Sequence, residues 1–336
     1  MRLLIGGAAR GRPEQYKKEI AAVLPAELRD ASISFDLSDN ADEWGEEIAH
    51  CEAIILTSRG LGPTAIQRAS KLRFVQKLGI DVARVDVEAC RARGVKVSVL
   101  PDAGHVAVAE HTVAMILACT RNLISTHAAV VRGENPAELV PIKTTQNKRH
   151  VNWLQLPEQD FPLLTDLTLG FVGFGEIARE TAQRARGLVS RIVYTKRNRL
   201  DASVEREYGV SFKSLDDLLG QADIVSILAT QPDDAPPIIG ARELGLLRPH
   251  AFLINTARGN QVDQAALIRA LEANRLRGAA LDVFEYEPVL DSKLLELSNV
   301  ILTPHTANLM PTGRRFRDAL ANVAALSTNR PLTGLV

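Results

Sequence analysis

Gly173, Gly175 and Ala178 follow the spacing G-x-G-x-x-G/A. A short apolar run ends just before them at Val172, and Ile177, Ala178, Thr181, Ala182 and Ala185 then recur at helical intervals. Strand, turn and helix in this order suit the binding of a dinucleotide. Gly173 permits the tight exit from the strand, Gly175 lets backbone approach a pyrophosphate, and Ala178 lets the helix pack against the strand. The turn, with Phe174, Glu176 and Ile177 beside the glycines, offers N–H groups and partial positive charge to phosphates. The alternative is an ordinary glycine turn; the strand before and the helix after argue against it.

A second strand is expected over 191–195. A site for NAD usually carries Asp or Glu near the end of that strand, to hold the ribose 2′-OH. This chain has Thr195-Lys196-Arg197-Asn198 instead. A hydroxyl and two cations suit a 2′-phosphate. The expected cofactor is therefore NADP(H), with NAD(H) as the second option. The bland alternative is that Lys196 and Arg197 are solvated surface charges.

The elements that must position these groups alternate. Strands are expected over 3–5, 33–37, 53–57, 74–77 and 95–99, with helices over 13–23, 42–49, 64–69 and 85–93 between them. A long apolar helix follows a linker-like 101–104 and runs from 106 to about 122. Residues 132–166 show little periodicity and read as an excursion. Later strands are expected over 224–228, 252–255, 278–282 and 300–302, and a last helix over 312–325. Alternation of this kind predicts parallel sheets with helices on both faces, an α/β fold. The length of 336 residues suffices for two domains. Lys+Arg and Asp+Glu balance at 40 each, which leaves no electrostatic footprint for nucleic acid or an acidic membrane. Cys51, Cys90 and Cys119 show no metal or redox spacing, so no metal is expected. No signal segment is read at the N-terminus, and the apolar run 106–119 is interrupted by Glu110 and His111. The expected setting is cytoplasmic.

Several stretches fall together into one register. Residues 253–263 (LINTARGNQVD), 278–288 (GAALDVFEYEP) and 301–305 (ILTPH) resemble the signature segments of the D-isomer-specific 2-hydroxyacid dehydrogenases. Val108-Ala-Glu-His-Thr112 and Gln76-Lys-Leu-Gly79 resemble the same family's first-domain motifs. The resemblance implies two doubly wound parallel-sheet domains with a cleft between them. One is a flavodoxin-like substrate domain, residues 1–102 plus 306–336. The other is a Rossmann coenzyme domain, residues 103–305, which usually mediates homodimerisation. The implied reaction is hydride transfer between a nicotinamide and C2 of a small 2-oxo or 2-hydroxy acid.

By the same resemblance, Arg258 binds and polarises the substrate, since its planar fork suits a carboxylate and a carbonyl oxygen. His305 matches the acid/base, able to give and take a proton near neutrality. Glu287 matches the carboxylate that pairs with it, favouring imidazolium and fixing its orientation. Formate dehydrogenases, whose substrate exchanges no proton, place glutamine there. Thr256, Ala257, Asp282 and His305 are implied at the cofactor, with a cap or supporting hydrogen bond as the alternative for Asp282. Asp263 reads as a helix cap.

Some positions depart from the family pattern. The substrate-carboxylate loop usually reads Gly-Val-Gly-x-Asp, and this chain has Gly79-Ile80-Asp81-Val82-Ala83. The amides of Ile80 and Asp81 are the expected substrate contacts, with Lys77 expected either to offset the Asp81 charge or to contact a polar substrate tail. Leu228 and Thr230 replace a common His-x-Pro, and Pro101-Asp102 the more usual Pro-Gly. A second functional class is a non-catalytic nicotinamide-sensing binding protein of the same fold, as family members in transcriptional corepression are thought to be.

Overall fold

The computed structural model describes residues 1–6, 13–36, 41–57, 60–80, 82–232 and 234–336. The chain forms two compact units, Met1–His105 with Leu309–Val336, and Val106–Asn308. The junctions expected at 102 and 305 fall a few residues short of these.

The first unit carries β1 (Arg2–Gly6), β2 (Ser32–Asp36), β3 (Ala53–Leu56), β4 (Phe74–Leu78) and β5 (Lys96–Leu100). All pairings are parallel, in the order β2-β1-β3-β4-β5. That is the flavodoxin-like order. Strands covered on both faces read as continuous apolar runs, and Leu3, Leu4 and Ile5, like Ile54, Ile55 and Leu56, are fully buried. The last helix, Thr312–Ser327, returns to this unit and packs Phe316, Leu320 and Val323 against Leu3, Ile5 and Phe74. Asp102 finds its explanation here. Its carboxylate accepts from the Gly104 N–H at 2.8 Å and takes both Arg315 Nη2 and Nε, at 2.6 and 3.1 Å. It thereby ties the chain leaving β5 to the last helix.

The helix expected over 42–49 is broken into a 3-10 turn, Ala41–Glu43, and a short helix, Glu47–His50. Between them the indole of Trp44 inserts under β1, so close that a Cβ on Gly6 would lie 2.3 Å from its ring. Burying the largest side chain of the segment overrides local propensity.

The second unit carries β6 (Thr168–Val172), β7 (Arg191–Thr195), β8 (Val210–Phe212), β9 (Ile224–Ile227), β10 (Phe252–Asn255), β11 (Gly278–Leu281) and β12 (Val300–Leu302). The order is β12-β11-β10-β9-β6-β7-β8, again all parallel. Strand order reverses between β6 and β9, and ligands of such sheets sit at the carboxyl ends of strands at that switch. The edge strand β8, three residues long, is missing from the expected set because so short a run carries little periodicity.

Helix Ala103–Thr120 is long and apolar enough to cross a membrane by length and composition alone. Met115, Ile116 and Cys119 on it pack into the same core as Leu169, Phe171 and Phe174, the behaviour of a core helix. Residues 132–166 hold no strand and only two 3-10 turns, Glu158–Asp160 and Leu164–Asp166, after a helix Leu123–Val131.

Candidate active site

The glycine turn leaves β6 at the switch point. Gly173 has φ +91°, and a Cβ there would lie 2.5 Å from the backbone N of Ala229. Its N–H donates to Thr195 O at 2.9 Å, which sets the turn beside the end of β7. Gly175 differs. It is the N-cap of helix Glu176–Ala185, with no side-chain cap, and a Cβ on it would meet nothing within 4 Å. A helix N-terminus with no side-chain cap and room beside Gly175 suits a pyrophosphate. Phe174 is buried in an aromatic cluster with Phe171, Tyr194 and Tyr208. It can therefore offer a ligand only its backbone, whereas Glu176 and Ile177 are half-buried at the turn's rim.

This contrast gives a paired expectation. Gly173→Ala forces a left-handed conformation and a backbone clash, and should cost more than about 2 kcal/mol in urea unfolding. Gly175→Val should fold normally and raise the KM for nicotinamide dinucleotide roughly tenfold or more, because the side chain fills the space the phosphates need.

At the end of β7, Thr195 and Lys196 are half-buried and Arg197 is exposed. Among the described residues neither Lys196 nor Arg197 has an ion-pair partner, whereas the third cation of the run, Arg199, is bound bidentately by Glu205, Nε and Nη2 each at 2.8 Å. The hydrogen bonds from Arg199 and from Tyr194 Oη hold the Glu205 carboxyl down to about 2, from an ordinary 4.5. A folded-state pKa below the unfolded one means stability that is present above about pH 4.5 and lost as pH falls through about 2. Glu205→Gln should accordingly flatten that part of the acid-unfolding curve followed by circular dichroism.

Three loops at the carboxyl ends of β10, β11 and β12 carry the remaining candidates. After β10, the buried Asn255 side chain brackets a turn, donating to Arg258 O at 3.0 Å and accepting from Ala257 N at 3.1 Å. Thr112 Oγ1 donates to Val108 O, so in its 2.8 Å bond with Thr256 Oγ1 the Thr256 hydroxyl is the donor. Arg258 is exposed; among the described residues its guanidinium makes no ion pair, only a 2.6 Å bond from Nη1 to Ala257 O. Gly259 next to it lies so near Phe284 that a Cβ would sit 1.8 Å from the Phe284 carbonyl oxygen. Only glycine allows this approach, and it presses the Arg258 turn onto the loop that follows β11.

In that loop Glu287 Oε1 accepts from the Phe284 N–H at 3.0 Å, and Oε2 lies 2.7 Å from His305 Nδ1. The carboxylate is therefore fixed by its own loop and in turn orients the imidazole. His305 has φ +55°. That conformation costs a non-glycine residue about 1–2 kcal/mol, and Asp282 offsets it. The Asp282 main-chain O accepts from His305 N, and its carboxylate accepts from Thr306 N and Ala307 N, all at 2.9 Å, and from Thr303 Oγ1 at 2.6 Å. His111 Nε2 lies 3.1 Å from Thr303 Oγ1 and 3.6 Å from Asp282 Oδ1. Asp282 is fully buried with both oxygens engaged. Its carboxylate makes supporting hydrogen bonds of the kind weighed from the sequence as the alternative to a place at the cofactor. Asp263 caps helix Gln264–Glu272, accepting from Ala266 N.

In the first unit, Ile80 is 46% exposed beyond the end of β4, after Gly79 at φ +96°. Asp81 lies outside the described residues. Lys77 is buried, and its ammonium donates to Thr57 O and Leu78 O.

Residues 113–307 match the profile of the D-isomer specific 2-hydroxyacid dehydrogenase, NAD binding domain. The chain belongs to the D-isomer-specific 2-hydroxyacid dehydrogenase family. It is an NAD(P)-dependent 2-hydroxyacid dehydrogenase, and the matched region lies within the Val106–Asn308 unit. The dehydrogenase is 32% identical over 281 residues to a glyoxylate reductase of Pyrococcus furiosus, covering 83% of this chain and 79% of that one. It is 33% identical over 281 residues to a glyoxylate reductase of Thermococcus litoralis, covering 83% and 80%. In fold it is similar to the NADPH-dependent glyoxylate/hydroxypyruvate reductase of Sinorhizobium meliloti, with TM-score 0.68, 24% identity and coverage of 100% and 96%. It is also similar to the D-mandelate dehydrogenase of Rhodotorula graminis, with TM-score 0.69, 24% identity and coverage of 100% and 97%.

Sequence reasoning about the dehydrogenase missed the supports of this site. His111 and Thr303 stood inside stretches already quoted for the resemblance, but no local pattern says that they meet at Asp282. Gly259 could not have been read from the sequence, since its importance lies in the Phe284 carbonyl that its missing Cβ admits. Asp282→Asn should put an amide N–H against Thr306 N or Ala307 N, cost about 1–3 kcal/mol in urea unfolding, and lower kcat by displacing the His305 loop.

Proposed function

We propose that the dehydrogenase reduces a small 2-oxo acid at C2 with NADPH, giving the D-2-hydroxy acid. The observation that carries this reading is the 2.7 Å contact of His305 with Glu287 beside a turn presenting Arg258, which makes no ion pair among the described residues. Nicotinamide dinucleotide, when bound, supplies the hydride. Arg258 holds the substrate carboxylate and draws electron density toward the carbonyl oxygen. His305, protonated and oriented by Glu287, gives its proton to that oxygen as the alkoxide develops, and takes it back in the oxidative direction. Gly173, Gly175 and the first turn of helix Glu176–Ala185 hold the pyrophosphate, and Thr256 and Ala257 line the nicotinamide end.

Lys196 and Arg197, without carboxylate partners among the described residues, support NADP(H) over NAD(H). Glyoxylate is the first substrate to try, because curated relatives are named glyoxylate reductases, and hydroxypyruvate is tried beside it as a second small 2-oxo acid. The test compares kcat/KM for NADPH and NADH with each acid. A clear NADPH preference is expected, and equal use or an NADH preference would end the cofactor assignment.

A homodimer is part of the same reading. Val131, Val140 and Val151, each more than 70% exposed, lie with Trp153 in and after helix Leu123–Val131, where a second copy would cover them. Light scattering at micromolar concentration should give twice the chain mass.

A further inference from the structure

The segment between β7 and helix Ala202–Tyr208 is closed by side chains rather than by backbone. Tyr194, the fourth residue of β7, is fully buried as a ring, yet its hydroxyl is doubly used. It accepts from Leu200 N at 2.9 Å and donates to Glu205 Oε1 at 2.8 Å. Glu205, on the following helix, also accepts from Arg199 Nε and Nη2 with its two carboxylate oxygens. The Arg199 guanidinium lies 5.8 Å over the ring of Phe212, which packs edge-on against Tyr194. Tyr194, Arg199, Leu200 and Glu205 thus staple both ends of a short turn that carries Lys196, Arg197 and Asn198.

We propose that this Tyr194–Glu205–Arg199 clamp is a specificity-determining device that holds Lys196 and Arg197 ready for the 2′-phosphate of NADP(H). The inference rests on the NADP(H) reading above and extends it to residues that touch no cofactor. Two consequences follow from the chemistry. Glu205 is one of three acidic residues that follow this turn, with Asp201 and Glu207, and pairing with Arg199 removes the Glu205 charge from the neighbourhood of an incoming phosphate. Arg199, similarly neutralised, is withheld from phosphate binding, so the basic run KRNR supplies two phosphate ligands and one strut. The cations are long and flexible, and a turn that already holds their backbone spares part of the ordering cost on binding. A ribose with a free 2′-OH gains nothing from this, since it makes no use of the cations. The clamp therefore acts on the choice between cofactors rather than on hydride transfer.

The test uses Tyr194→Phe, which keeps the buried ring and removes the hydroxyl, and Glu205→Gln, which keeps the shape and removes the charge. KM for NADPH and for NADH is measured for each, beside the wild type, with thermal unfolding as a control on folding. The clamp requires KM for NADPH to rise about tenfold in both variants, the scale of re-ordering two long side chains, while KM for NADH moves by less than about twofold. Arg199→Lys, which keeps one charge on Glu205, should recover part of the preference that Arg199→Ala loses. Equal changes for the two cofactors would assign the cluster a purely structural part and overturn the proposal, as would no change for either. A wild type that prefers NADH would instead remove the NADP(H) reading itself, and the two failures are told apart by the wild-type ratio.

Discussion

His305→Gln is expected to lower kcat for 2-oxo acid reduction by about a hundred- to ten-thousand-fold, the range over which a positioned acid/base contributes. Glutamine keeps a donor near the substrate oxygen but cannot hand over a proton at neutral pH. The side chain is 48% exposed and, among the described residues, its hydrogen bond is with Glu287, so the fold loses little. The melting temperature should stay within about 2 °C of wild type. Binding of NADPH, followed by quenching of protein fluorescence, should survive. The variant thus separates proton transfer from cofactor binding. A rate within a few-fold of wild type would mean that His305 does not carry the proton, and would favour a site built for binding alone.

Arg258→Gln is expected to lower kcat/KM by roughly a hundred- to a thousand-fold, as loss of one preorganised donor at a developing oxyanion does elsewhere. The fall should appear in both KM and kcat, because the arginine is proposed to grip the carboxylate in the ground state and to polarise the carbonyl in the transition state. Arg258→Lys should recover only a small part, since an ammonium cannot reproduce the planar fork. The guanidinium makes no ion pair among the described residues, so substitution leaves no buried charge behind. Stability should be nearly unchanged. A variant that loses activity and unfolds early would point instead to a structural role for the turn that Asn255 and Gly259 hold in place.

What could be read from the chain alone follows from how local each feature is. The glycine turn and the basic run after β7 are contiguous, so residue types and spacing expose them without any knowledge of the rest. The two parallel sheets are legible for the same reason, since each strand is a short apolar run between helical repeats. Glu287 and His305 stand 18 residues apart on different loops, and only the resemblance joined them before their 2.7 Å contact was seen. The contact is geometry, and the roles given to it are proposals. Three things were illegible because they depend on partners distant in sequence. Gly259 matters through a carbonyl of Phe284, Asp282 through the amides of Thr306 and Ala307, and Asp102 through Arg315. The broken helix after β2 belongs with them, because Trp44 takes its place from the core and not from its neighbours in sequence.

The most direct measurement is steady-state turnover of the purified dehydrogenase with NADPH and a panel of glyoxylate, hydroxypyruvate, pyruvate and phenylpyruvate, followed by the fall in nicotinamide absorbance. Oxidation of NADPH in step with formation of the 2-hydroxy acid, in the D form where the product is chiral, is the expected result. Tight NADPH binding with no oxidation in the presence of any of the four acids would contradict the assignment of Arg258, Glu287 and His305 to 2-oxo acid reduction.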